Sequence, residues 1–84
     1  MARRLISTGS PFERAYGYSR AIVAEPFVFV SGTTGYDYSA MPLPASAADQ
    51  ARACWRTIAA VLDEAGSSLE EITRAIYYVT DRAD

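Results

Sequence analysis

Residues 18–32 read YSRAIVAEPFVFVSG. Two β-rich runs, 18–24 and 27–32, are separated by Glu25 and Pro26 alone, which predicts a hairpin. Pro26 has no N–H to donate and suits the turn rather than the ladder. Side chains alternate along a strand, so Phe27 and Phe29 belong to one face and Val28 and Val30 to the other. A strand apolar on both faces is normally covered on both.

Working outward, residues 3–8 form a candidate short strand that Gly9, Ser10 and Pro11 terminate, and residues 12–17 read as a loop. Residues 32–45, with Gly32, Gly35, Pro42 and Pro44, read as a second loop. A helix is predicted over 47–65. Ser46 is its N-cap, Asp49 sits three residues on, and Gly66 stands at the C′ position. Ala51, Trp55, Ile58 and Leu62 recur at helical spacing, flanked by Cys54, Val61 and Ala65, with Arg52, Arg56, Asp63 and Glu64 on the wet side. A short capped turn over 67–71 leads to a last strand over 72–80, apolar on both faces. The order is β-β-β-α-β, an α+β domain in which one helix covers one face of a sheet. The second face then needs a partner, and a second copy of the chain is the simplest one.

The bulk properties exclude several classes. At 84 residues and half apolar, the chain is one domain, or part of one, with a packed core. Its eight arginines are dispersed and its formal charge is −2, so nothing tracks a phosphate backbone and no nucleic-acid partner is expected. His and Lys are absent, which removes His acid–base and Schiff-base chemistry. With Cys54 as the single cysteine there is no intramolecular disulfide and no Cys/His zinc site, and a reduced thiol fits a cytoplasmic setting. No apolar run reaches the roughly 20 residues that a membrane helix needs. Neither a metal nor a cofactor is expected.

Among candidate sites, Cys54 reads as a small buried hydrophobe, since no cation neighbours it in sequence. The neighbouring acids Asp63/Glu64 and Glu70/Glu71 point in different directions and read as a solvated face. Gly32, Thr33, Thr34 and Gly35 read as a strand-terminating turn whose backbone N–H groups are suited to a carboxylate. Residues 16–21, YGYSRA, read equally as a plain strand entry or as a pocket wall, with a flat aromatic surface and a hydroxyl near Ser31 on the paired strand.

The motifs 16–21 (YGYSRA), 28–32 (VFVSG), Gln50 opening a helix, 61–66 (VLDEAG) and 76–81 (IYYVTD) together resemble the RidA (YjgF) family, also called endoribonuclease L-PSP proteins. The resemblance covers nearly the whole chain and rests on the order and spacing of the motifs. It implies a chorismate-mutase-like fold and a homotrimer with ligand pockets between subunits. The implied activity is hydrolysis of reactive enamines and imines to ketoacids and ammonia. Residues 1–84 are then a single domain lacking the family's last helix and two strands. The arginine that grips the substrate carboxylate in the family, and an acidic residue near the attacking water, have no counterpart in this sequence. Gly17 stands where proline is usual and Arg20 where glutamine is usual, as in divergent branches. Tyr18 matches the family's pocket tyrosine, and Ser31 and Gly32 match the strand end at the pocket floor. These three are the expected ligand-lining residues for a small carboxylate; no catalytic residue is assigned. The competing expectation is a non-catalytic small-molecule-binding or assembly module of the same fold. Ribonuclease activity is disfavoured by the acidic balance and the lack of His.

Overall fold

The computed structural model describes residues 3–36, 43–80 and 83. Three antiparallel strands, β1 (Arg4–Ile6), β2 (Ala21–Ala24) and β3 (Phe27–Val30), form one sheet in the order β1-β2-β3. The hairpin forms as expected, with Glu25 and Pro26 at its tip. Its strands are shorter than the β-rich runs that predicted them.

Register settles the two faces. Ile6, Ala21 and Val30 lie in one row and Arg4, Val23 and Val28 in the next, all on the inner face. Leu5, Ile22 and Phe29 form a row on the outer face, beside the Ala24/Phe27 pair. The core gathers Ile6, Ala21, Val23 and Val61, with Val28, Val30 and Ala65 packed on it, so the long helix covers the inner face. The outer face is uncovered, and Leu5, Phe27 and Phe29 are each about 60% exposed (62%, 60% and 61%).

That helix, here α2 after the short α1 below, spans Ala47–Glu64. Ser46 Oγ accepts from the Asp49 N–H at 3.1 Å, as the cap requires. At the far end Gly66 has φ +84°, and the Ser67 and Gly66 N–H groups return to the Leu62 and Asp63 carbonyls, a left-handed glycine stop. Arg4 reaches from β1 to the Glu64 carbonyl at 3.1 Å, placing a cation at the negative end of the helix. The buried positions are Ala53, Val61 and Leu62, with Cys54, Trp55 and Ile58 half-buried. Ala51, expected on the stripe, is exposed, because the sheet lies one residue round the helix from it.

Two segments differ from expectation. Residues 12–17 are not loop: Pro11–Tyr16 is a helix, α1, capped by Ser10 Oγ on the Phe12 N–H and stopped by Gly17 at φ +72°. The signals were local, with Ser10 at the cap, Pro11 at the first position and Gly17 at the end, but six residues are too few for periodicity to reveal. Residues 72–80 form no strand, and all nine are exposed. A β-rich run becomes a strand only beside a partner that takes its N–H and C=O groups. Trp55 and Tyr77 stack at 5.9 Å, so the segment still touches α2. Before it, the turn expected over 67–71 is a 3-10 turn, Leu69–Glu71, without a side-chain cap from Ser68. Residues 37–42 of the loop expected over 32–45 lie outside the described residues.

Candidate functional site

The strand-entry segment before β2 and the strand exit after β3 meet at the end of the hairpin away from Pro26. Tyr18 lies in the entry segment, and Ser31 and Gly32 lie in the exit. The Ser31 N–H donates to the Arg20 carbonyl at 3.0 Å. Ser31 Oγ is shared between the carbonyls of Ser19 and Arg20, at 2.8 and 2.9 Å. The hydroxyl expected to face a ligand therefore also stitches the two strands. Tyr18 is partly exposed and Gly32 is exposed.

Arg20 organises this end. Its side chain is fully buried. Nη1 donates to the Gly32 carbonyl at 2.6 Å and to Thr33 Oγ1 at 3.4 Å, and Thr33 Oγ1 in turn donates to the Ser31 carbonyl. The guanidinium carbon lies 5.5 Å from the centre of the Tyr18 ring, a cation–π distance. Nε pairs with Glu13 Oε2 at 3.5 Å. Glu13, on α1 and only 5% exposed, also accepts from the Thr8 N–H and hydroxyl. One buried arginine thus links α1, the entry to β2 and the exit of β3.

The ionisation of Glu13 follows from this setting. Burial pushes its carboxyl up, but hydrogen bonds from Thr8 and Ser7 and the charge of Arg20 outweigh burial and hold it below its ordinary 4.5. A carboxyl whose folded pKa is depressed stabilises the fold fully above its unfolded pKa, and that stability is lost as pH falls through the folded value. The difference in urea midpoint between wild type and Glu13→Gln should therefore be largest near neutrality. It should shrink as pH falls through the folded value, below which wild type too carries a neutral Glu13. A difference that does not change with pH would show that the Glu13 charge contributes nothing.

The turn after Gly32 is pressed against α2. Gly35 is buried, and a Cβ there would stand 2.8 Å from Gln50 Cα and 2.9 Å from its carbonyl oxygen. Gln50 Nε2 donates to the Pro44 carbonyl at 2.8 Å, tying the end of the loop to the first turn of α2. Cys54 Sγ lies 3.5 Å from the Thr33 carbonyl, and burial pushes its thiol pKa up, which makes it a half-buried packing group rather than a ready nucleophile. Phe12 and Tyr36 stack at 5.6 Å across the same end.

The sequence alone held no sign of Glu13, showed Thr33 only as part of the turn, and showed Arg20 only as a departure from the usual residue. An arginine at the head of an apolar strand is a signal that something must pair with it. Nothing in the local sequence pointed to Glu13, which reaches it only because α1 folds back. Among the described residues no group of three or more His, Cys, Asp or Glu side chains is placed to hold a metal, and no helix is long and apolar enough to cross a membrane.

A small antiparallel sheet with one long helix on its inner face defines an α+β domain of RidA type. Comparison with known proteins agrees. Residues 8–84 match the Endoribonuclease L-PSP family. The chain is 32% identical over its whole length to the RutC family protein UK114 of Drosophila melanogaster, covering 62% of that protein. It is 31% identical to Protein MMF1, mitochondrial, of Saccharomyces cerevisiae, over 94% of this chain and 59% of that one. The solved structure of Rv2704 from Mycobacterium tuberculosis, a member of the YjgF/YER057c/UK114 family, superimposes with a TM-score of 0.69 at 41% identity. That match covers 81% of this chain and 52% of the other. The chain belongs to the Endoribonuclease L-PSP family, that is, the RidA/YjgF family. It spans between half and two thirds of the length of these relatives.

Proposed function

We propose that this chain supplies part of the pocket of an imine/enamine deaminase, which adds water to a small imino acid and releases a ketoacid and ammonia. The observation that carries the reading is the Arg20 side chain, which lies over the Tyr18 ring and donates to the Gly32 carbonyl at 2.6 Å, so that the ring and the Ser31–Gly32 strand end share one anchor. A flat ring beside exposed backbone suits a small planar carboxylate, with the ring covering one face and the turn at 32–35 offering N–H groups. Ammonia release from an enzymatically generated imino acid should exceed the rate in buffer, and Tyr18→Ala should reduce it.

A second reading, a non-catalytic small-molecule-binding or assembly module, has one observation in its favour. Arg20, which lies over the Tyr18 ring, is fully buried, and its Nη1 donates to protein groups, the Gly32 carbonyl and Thr33 Oγ1. A ketoacid that raises the melting temperature without any ammonia release would select this reading. Neither a shift nor release would overturn both.

In the same proposal, the outer sheet face is covered by sister copies in a homotrimer, and the protein works in the cytoplasm. Leu5, Ile22, Phe27 and Phe29 form the contiguous apolar surface that such packing would cover. Phe29→Glu should shift the sedimentation coefficient towards that of a single chain while leaving the core intact, since Phe29 makes no part of it. A wild-type chain that sediments as a monomer would sink the assembly proposal.

A further inference from the structure

We propose that Arg20, held by Glu13, is a positioning residue for the ligand platform: it fixes the Tyr18 ring against the strand end at Ser31 and Gly32, and so sets how tightly a small carboxylate binds there. The proposal rests on the reading of Tyr18, Ser31 and Gly32 as one ligand wall.

Three separate elements meet on this one side chain. Glu13 comes from α1, Tyr18 from the entry to β2, and Gly32 and Thr33 from the exit of β3. The guanidinium can serve all three because it is planar. Its edge presents several N–H donors in a fixed fork, and its charge sits over an aromatic ring. Lysine carries the charge but has neither the fork nor the face. The ion pair with Glu13 fixes the direction of the fork, and Thr8 fixes Glu13. Arg20 is wholly buried, so it acts on a ligand only through the groups it holds.

A merely structural ion pair would have a different signature. Replacing both partners of a buried pair by apolar residues leaves no charge stranded and is often neutral for stability. A structural role is therefore satisfied by the double variant Glu13→Leu/Arg20→Met, whereas a positioning role is not. Arg20→Lys separates the two in a second way, because it keeps a cation near Glu13 while losing the contacts that orient Tyr18 and Gly32.

The experiment is titration of the full chain with pyruvate, the simplest ketoacid, followed by calorimetry and by the Gly32 amide and Tyr18 ring resonances. Circular dichroism on each variant establishes that it is folded. The double variant and Arg20→Lys should bind pyruvate roughly tenfold or more weakly while folded, because small misplacements of binding groups carry penalties of that order. The Tyr18 ring resonances should shift in the unliganded variants. A folded double variant that binds within about twofold of wild type would overturn the proposal. If the double variant does not fold, Arg20→Lys decides by the same criterion. If Tyr18→Ala weakens binding and the Arg20 variants do not, the ligand wall stands and only the positioning role fails. If wild type binds no pyruvate, the ligand wall itself fails and the positioning role goes with it.

Discussion

Arg20→Met should be among the most damaging single substitutions in this protein, lowering stability by about 3–5 kcal/mol. The change leaves the Glu13 carboxylate buried beside an apolar side chain, with Thr8 and Ser7 as its remaining support. It also removes the donor to the Gly32 carbonyl, so the strand exit loses its tie to the strand entry. A chain of 84 residues has roughly 4–13 kcal/mol in total, so a loss of this size takes a large share of it. Urea unfolding followed by circular dichroism reads the difference. Adding Glu13→Leu in the same chain should recover most of the loss, because the stranded charge is then gone. A single variant that loses less than about 1 kcal/mol would mean that water reaches Glu13 and that the pair is not truly buried.

Gly35→Ala should be the next most damaging change, at about 2–3 kcal/mol. The obstacle is not a flexible tip but the Cα and carbonyl of Gln50, at 2.8 and 2.9 Å, inside a helix that cannot yield locally. To admit a methyl group, the turn must lift off α2 and pull Thr33 away from Cys54. Gly32→Ala is the matched control. A Cβ at Gly32 meets nothing within 4 Å, so stability should change by no more than about 0.5 kcal/mol. Parallel thermal melts of the two variants test the contrast. Equal effects would show that the close approach of the loop to the helix is not what requires glycine at 35. The Gly32 variant has a second use: an exposed methyl at the strand exit should weaken carboxylate binding if this is the pocket floor.

Both predictions concern contacts between segments far apart in sequence, and this explains how much could be read in advance. The helix was legible from Ser46 to Gly66 because caps and periodicity are written within a few residues of where they act. Its buried stripe was legible to within one position, Ala51 being the error, since the stripe's phase depends on where the sheet lies. The hairpin was legible from Pro26 and the flanking β-rich runs. Helix α1 was written in Ser10, Pro11 and Gly17, but it is too short to announce itself by period.

The α+β class, the family, the hairpin, the capped helix and the presence of apolar residues on both sheet faces could all be read from the residues in order. All of these follow from neighbours along the chain, where alternation, capping and turn chemistry act. The tertiary structure alone decided that Glu13 meets Arg20, that Arg20 lies over Tyr18 and holds Gly32, and that Gly35 touches Gln50. It also decided that residues 72–80 form no strand. These are matters of which surfaces come together: an ion pair needs its partner brought within a few ångströms, and a strand needs an edge to join. The two-faced run at 27–30 shows both sides of this division. Its alternation fixed which residues share a face, and only the placement of α2 decided that Val28 and Val30 pack on the core while Phe27 and Phe29 face outward.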